Sequence, residues 1–181
     1  MIEILPYVEL NGAWSLPDTA MAGIFEQLVM DGTAGTVFSD GDVKCAKDFV
    51  TLCKNPNNLP AIVYVDKECG GIGWVNGLTK DRAFAHYAFF KSQWGHNTTG
   101  MAKALINYWF QDEFPFNMLI GQTPVWNRRA VKFLERIGFT VLGVLPATPK
   151  GHGVVISYIL KEPKEWATKA ERAAATATRP I

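Results

Sequence analysis

Apolar residues from Ile2 to Leu10 follow no helical period and predict a first strand, which the Asn11-Gly12 pair turns. Past Pro17, the apolar positions Met21, Ile24, Phe25, Leu28 and Val29 recur at helical steps and stop at Gly32. A second helical stripe, Val43, Ala46, Phe49, Val50 and Cys53, predicts a helix over Asp42 to Lys54, ended by Asn55-Pro-Asn-Asn58. Three strands follow in close succession: Ala61 to Val65, Gly71 to Leu78 and Arg82 to Lys91. Their short connections predict an antiparallel meander. A polar loop over Ser92 to Thr99 leads into a helix from Gly100 to about Gln111, with Met101, Leu105 and Trp109 on one face. A strand at Phe116 to Gly121, a helix at Asn127 to Ile137 and strands at Thr140 to Leu145 and Val154 to Leu160 complete the order.

This succession predicts one mixed α/β domain over residues 1–160. The tail over 161–181 is rich in Lys, Glu and Ala, and is expected to be helical around Trp166 to Ala175 before fraying. The chain's 181 residues suffice for one sizeable core. With 18 basic against 17 acidic residues, no field favours nucleic acid or a membrane surface as a partner. No apolar run approaches the roughly 20 residues of a membrane span. The start, Met1-Ile-Glu-Ile-Leu-Pro6, has no signal-peptide pattern. Cys45, Cys53 and Cys69 show no C-x-x-C spacing, so reduced thiols in the cytoplasm are expected, with no metal site.

Two loop-to-helix junctions carry chemistry. Trp94-Gly-His-Asn-Thr-Thr-Gly-Met-Ala102 runs from a strand into a helix through small residues. Such a start leaves backbone N–H groups unpaired at the positive end of the helix dipole, which suits a pyrophosphate. A plain N-cap by Thr98 or Thr99 is the alternative. At the second junction, Asn127 is a good N-cap, Ala130, Leu134 and Ile137 face inward, and Gly138 is a left-handed stop before Phe139.

In this order the two segments resemble the GNAT N-acetyltransferase superfamily, in the style of its ribosomal-protein N-acetyltransferase branch. The family's phosphate loop reads Gln/Arg-x-x-Gly-x-Gly/Ala, and Asn97-Thr-Thr-Gly100-Met-Ala102 matches with Asn in the first place. The later helix reads Asn-x-x-Ala, then a large apolar residue, then Gly-Phe, as Asn127, Ala130, Phe133, Gly138 and Phe139 do. The resemblance covers about Ala61 to Leu160. It implies a mixed central sheet of about seven strands, helices on both faces, and a V-shaped cleft for acyl-CoA. Backbone groups around Phe89, Phe90 and Lys91 would pair with the pantetheine arm. Amides of Asn97, Thr98, Thr99, Gly100, Met101 and Ala102, with His96 nearby, would hold the pyrophosphate, and Asn127 would lie at the thioester end. Leu134 stands where many relatives carry a tyrosine that protonates the leaving thiolate, and the stretch over Ser92 to His96 is about two residues longer than usual.

The reaction so implied is acetyl transfer from acetyl-CoA to a primary amine by direct attack, with a backbone N–H stabilising the oxyanion. His86, mid-strand beside the expected cleft, is the candidate base, with a hydrogen-bonded structural histidine as the alternative. Gln122 is the candidate for orienting a water. Arg128, Lys132 and Arg136 form a basic stripe that reads as a solvated face or a contact for the 3′-phosphate. Trp94 and Trp126 flank the two junctions, and His152 reads as surface. The acceptor is left open among a protein N-terminus, a lysine and a small-molecule amine, and a homodimer is left open too. The competing reading is a CoA-binding or structural module without turnover.

Overall fold

The computed structural model describes residues 1–146 and 151–161. The tail helix expected around Trp166 lies outside the described residues. The elements in chain order are β1 (Ile2–Pro6), β2 (Glu9–Leu10), β3 (Ala13–Trp14), α1 (Asp18–Met30), α2 (Ala34–Val37), α3 (Ala46–Lys54), β4 (Leu59–Val65), β5 (Glu68–Asn76) and β6 (Arg82–Phe89). A 3-10 turn over Lys91–Gln93 follows, then α4 (Thr98–Trp109), β7 (Met118–Pro124), α5 (Arg128–Arg136), β8 (Thr140–Leu145) and β9 (Val154–Leu160).

Seven strands form one sheet in the order β1-β4-β5-β6-β7-β9-β8. Every neighbouring pair is antiparallel except β6 and β7. The first strand expected to run to Leu10 instead ends at Pro6, and Glu9–Leu10 folds against Ala13–Trp14 as a small hairpin. At its tip Asn11 and Gly12 both take positive φ, 53° and 81°. α3 starts at Ala46 rather than Asp42, because Asp48 reaches back to accept the Lys44 N–H at 3.0 Å in the turn ahead of the helix.

Helices cover both faces. α1, α3 and Phe38 just after α2 bury Met21, Phe25, Leu28, Phe38 and Phe49 against Ile62, Ile72, Trp74, Ala88 and Phe90. On the other face, α4 and α5 bury Met101, Leu105, Trp109 and Leu134 against Val63, Val75, Ala85, Phe89 and Leu119. The even and odd residues of β6 divide between the two cores, as the two-residue period of a strand requires. α4 lies close on β5 because two positions beneath it are bare. A Cβ at Gly70 would sit 2.7 Å from Met101 Sδ, and one at Gly73 2.7 Å from the Trp109 ring and 2.8 Å from Leu105 Cδ1.

Candidate functional site

β6 and β7 pair over three rungs only: Arg82–Met118, Ala83–Leu119 and Phe84–Ile120. Each strand then continues, β6 to Phe89 and β7 to Pro124, held by β5 on one side and β9 on the other. Their facing edges therefore part into a V whose apex is at Phe84 and Ile120. α4 follows the open end of β6 and α5 that of β7. Two helix N-termini thus flank the mouth, at the C-terminal ends of parallel strands where ligands settle in mixed sheets.

The backbone of β6 supplies the wall. Phe90 N–H donates to the Gly70 carbonyl at 3.0 Å. Alternation along an antiparallel ladder then turns the N–H and C=O groups of His86 and Ala88 toward β5, and those of Ala85, Tyr87 and Phe89 into the gap. Of the trio Phe89, Phe90 and Lys91, only Phe89 faces the gap. Its carbonyl accepts from Trp94 Nε1 at 3.1 Å, while Lys91 N–H donates to Asp31 Oδ2 at 2.7 Å. The gap-facing backbone groups that sequence reasoning did not reach are those of Ala85 and Tyr87.

The longer loop is organised from within. Gln93 is buried, and Asn97 Nδ2 donates to its Oε1 at 2.8 Å. Asn97 occupies the N-cap of α4 but makes no capping bond with its side chain. Helical bonding begins with Met101 N–H on the Asn97 carbonyl at 2.9 Å. No cap side chain therefore serves the amides of Thr98, Thr99 and Gly100, which lie on partly exposed backbone. Met101 and Ala102 are wholly buried and serve packing, and His96 is exposed. A Cβ at Gly100 would meet Ile2 Cδ1 at 2.8 Å, so its bareness also accommodates β1.

On α5, Asn127 is a true cap: its Oδ1 accepts from Ala130 N–H at 3.2 Å. Leu134 is buried over Gly121, and the Phe133 ring meets Phe89 edge-on at 6.3 Å, joining α5 to the far wall of the gap. Gln122, one residue further along β7, is exposed. Arg128, Lys132 and Arg136 are exposed, and Trp126 stands edge-on to His152 at 6.3 Å.

His86 lies on the opposite face of the sheet. It stacks on Trp74 at 4.9 Å and its Nε2 is 3.1 Å from Asn76 Oδ1. Burial pushes its pKa down from 6.5 to about 4, against a smaller opposing pull from Asp40. Asn76 is the β5 partner of Phe84 at the apex of the V. Asn76 also lines an open cavity of about 430 Å³ with Asp42, Asp48, Thr51, Asn55 and Asn58. This polar cavity thus lies on the β5 side of the Asn76–Phe84 rung, with β6 between it and the gap, while the uncapped amides of α4 lie beyond the wide end of the gap. Neither the cavity nor Asn76 has a local sequence signature.

Comparison with known proteins gives the same outline. The family model described as an acetyltransferase (GNAT) domain matches residues 33–140, more than half of the chain. No curated protein matches in sequence. Among solved structures, an acetyltransferase from Salmonella typhimurium that modifies the N-terminal serine of ribosomal protein L7/L12 is similar, with a TM-score of 0.70 and 10% identity over 88% of this chain and 94% of that one. The RimL ribosomal L7/L12 α-N-protein acetyltransferase in complex with coenzyme A gives 0.67 at 12% identity, covering 82% and 93%. The aminoglycoside acetyltransferase AAC(6′)-Ib with coenzyme A gives 0.69 at 16% identity, covering 90% and 96%. Among the described residues no helix is long and apolar enough to cross a membrane, and no His, Cys, Asp and Glu group is arranged to hold a metal ion.

Proposed function

The chain belongs to the GNAT acetyltransferase family, and from that premise we propose that it moves an acetyl group from acetyl-CoA to a primary amine by direct attack. The parting of β6 and β7 after Phe84 and Ile120 carries this reading. It leaves an open strand edge along which a pantetheine arm can pair with Ala85 and Tyr87. The pyrophosphate would rest on the amides of Thr98, Thr99 and Gly100, where the α4 dipole favours anions. A backbone N–H of β6 would donate to the developing oxyanion near the apex.

The acceptor would approach through the cavity beside Asn76, where Asp42 and Asp48 favour a cationic amine. A conjugate-acid pKa of about 4 leaves His86 neutral at pH 7 but makes it a weak proton acceptor. Its bond to Asn76 suits it to orient the cavity wall, so proton removal falls to water, with Gln122 as an orienting group at the mouth. A protein N-terminus, a lysine and a small-molecule amine all meet these requirements. We place the protein in the cytoplasm, where its three free cysteines would remain reduced.

Leu134 at the tyrosine place favours a second reading, a CoA-binding module without turnover. Two measurements separate the readings. Acetyl-CoA at about 100 times its Kd should stabilise the fold by about 2.7 kcal/mol. A melting curve unmoved by millimolar CoA would overturn both. Acyl transfer to a panel of amines, read as free thiol release, decides between them.

A further inference from the structure

Among the described residues, Ser157 Oγ is a fully buried hydroxyl with no hydrogen-bond partner. It lies in the middle of β9, opposite Gly121 on β7 and Val141 on β8. A Cβ built on Gly121 would sit 2.7 Å from Ser157 Oγ and 3.2 Å from Leu134 Cδ1. The hydroxyl therefore lies over a bare glycine, close to the side chain at the tyrosine place. Gly121 is also the first residue of β7 beyond the last rung shared with β6, so it borders the gap just past the apex.

An unpaired buried hydroxyl is costly, and alanine would pack the same site without that cost. We propose that the Ser157 hydroxyl donates a hydrogen bond to the sulfur of CoA as it leaves, across the side-chain-free Gly121, and so stabilises the leaving thiolate, which Leu134 cannot do. The inference rests on the acyl-transfer reading above. In the step itself the amine nitrogen forms a bond to the acyl carbon with its lone pair, the carbon–sulfur bond breaks and its electron pair stays on sulfur. Ser157 keeps its proton and stabilises the thiolate, which then takes a proton from water. The proton lost by the attacking amine passes to water. A hydrogen bond to the charged form lowers a group's pKa, so the signature is the acidity of the bound thiol.

The test titrates the thiol of enzyme-bound CoA by thiolate ultraviolet absorbance, in wild type and in Ser157→Ala, and needs no acceptor. The bound thiol should be about tenfold less acidic in Ser157→Ala, the scale of one hydrogen bond to a charged group. CoA affinity below the titration range and the melting temperature should not fall. Leu134→Tyr in the Ser157→Ala background should restore the acidity. Equal thiol titrations in wild type and Ser157→Ala overturn the role of Ser157 and leave the acyl-transfer reading standing. Failure of wild type to bind CoA overturns that reading and this one with it. Where an acceptor is in hand, Ser157→Ala should lower kcat with KM for acetyl-CoA unchanged, and lose less with a thioester of a more acidic thiol.

Discussion

The indole of Trp94 folds back onto β6 and donates to the carbonyl of Phe89 across 3.1 Å. Phe89 ends the strand edge left open by β7, so Trp94 occupies an acceptor at the mouth of the gap. Trp94 remains 44% exposed, and Lys91 Nζ lies 5.9 Å from its ring centroid.

A pantetheine arm that takes the place of the indole on the Phe89 carbonyl displaces a bond worth about 0.5–1.4 kcal/mol net. Trp94→Phe should then bind CoA about 2- to 10-fold more tightly, measured by calorimetry. CoA should also change the tryptophan emission of wild type, with that change lost in Trp94→Phe. Emission indifferent to saturating CoA would show that the indole is not displaced from the Phe89 carbonyl.

Gly121 tolerates no side chain. Its Cβ would meet Ser157 Oγ at 2.7 Å and Leu134 Cδ1 at 3.2 Å, and Ser157 belongs to the adjoining strand. Gly121→Ala should cost about 1–3 kcal/mol by chemical denaturation. In a Ser157→Ala background the cost should shrink, because the nearest obstructing atom is gone.

His86 sets a pH dependence. Its folded pKa, about 4, lies below the ordinary 6.5 because burial disfavours the imidazolium. The unfolded chain therefore binds the proton first, and stability is constant above about pH 6.5 and falls as pH drops toward 4. Between pH 7 and pH 5 the loss from this group is about 2 kcal/mol. Urea unfolding at the two values should show that drop in wild type and a smaller one in His86→Gln. Equal slopes would place the pH dependence elsewhere.

Asn127→Ala removes the one side-chain cap among the described helices of at least eight residues, and should destabilise by about 1 kcal/mol. Asn127→Asp keeps the accepting oxygen and should recover most of the loss in the same thermal unfolding experiment.

The sequence by itself determined the element order from α3 onward, the amphipathic faces and both loop-to-helix junctions, because these follow from local periodicity and from caps and stops such as Asn127 and Gly138, whereas the β2–β3 hairpin and the short α2 carry no such pattern. Its two junctions sufficed for the family resemblance that the family model bears out. Tertiary structure alone decided where β6 and β7 part, since register between distant strands depends on the partners each holds on its other edge. It also set which backbone groups face the gap: that choice turns on ladder phase, fixed by Phe90 on Gly70. The setting of Ser157 was equally out of reach. A serine within the apolar run Val154 to Leu160 is visible as an oddity, but its nearness to Gly121 and Leu134 arises only when three separate segments pack together. His86 shows the same division. Its strand was legible, while the burial that drives its pKa down comes from Trp74 and the helices packed on that face.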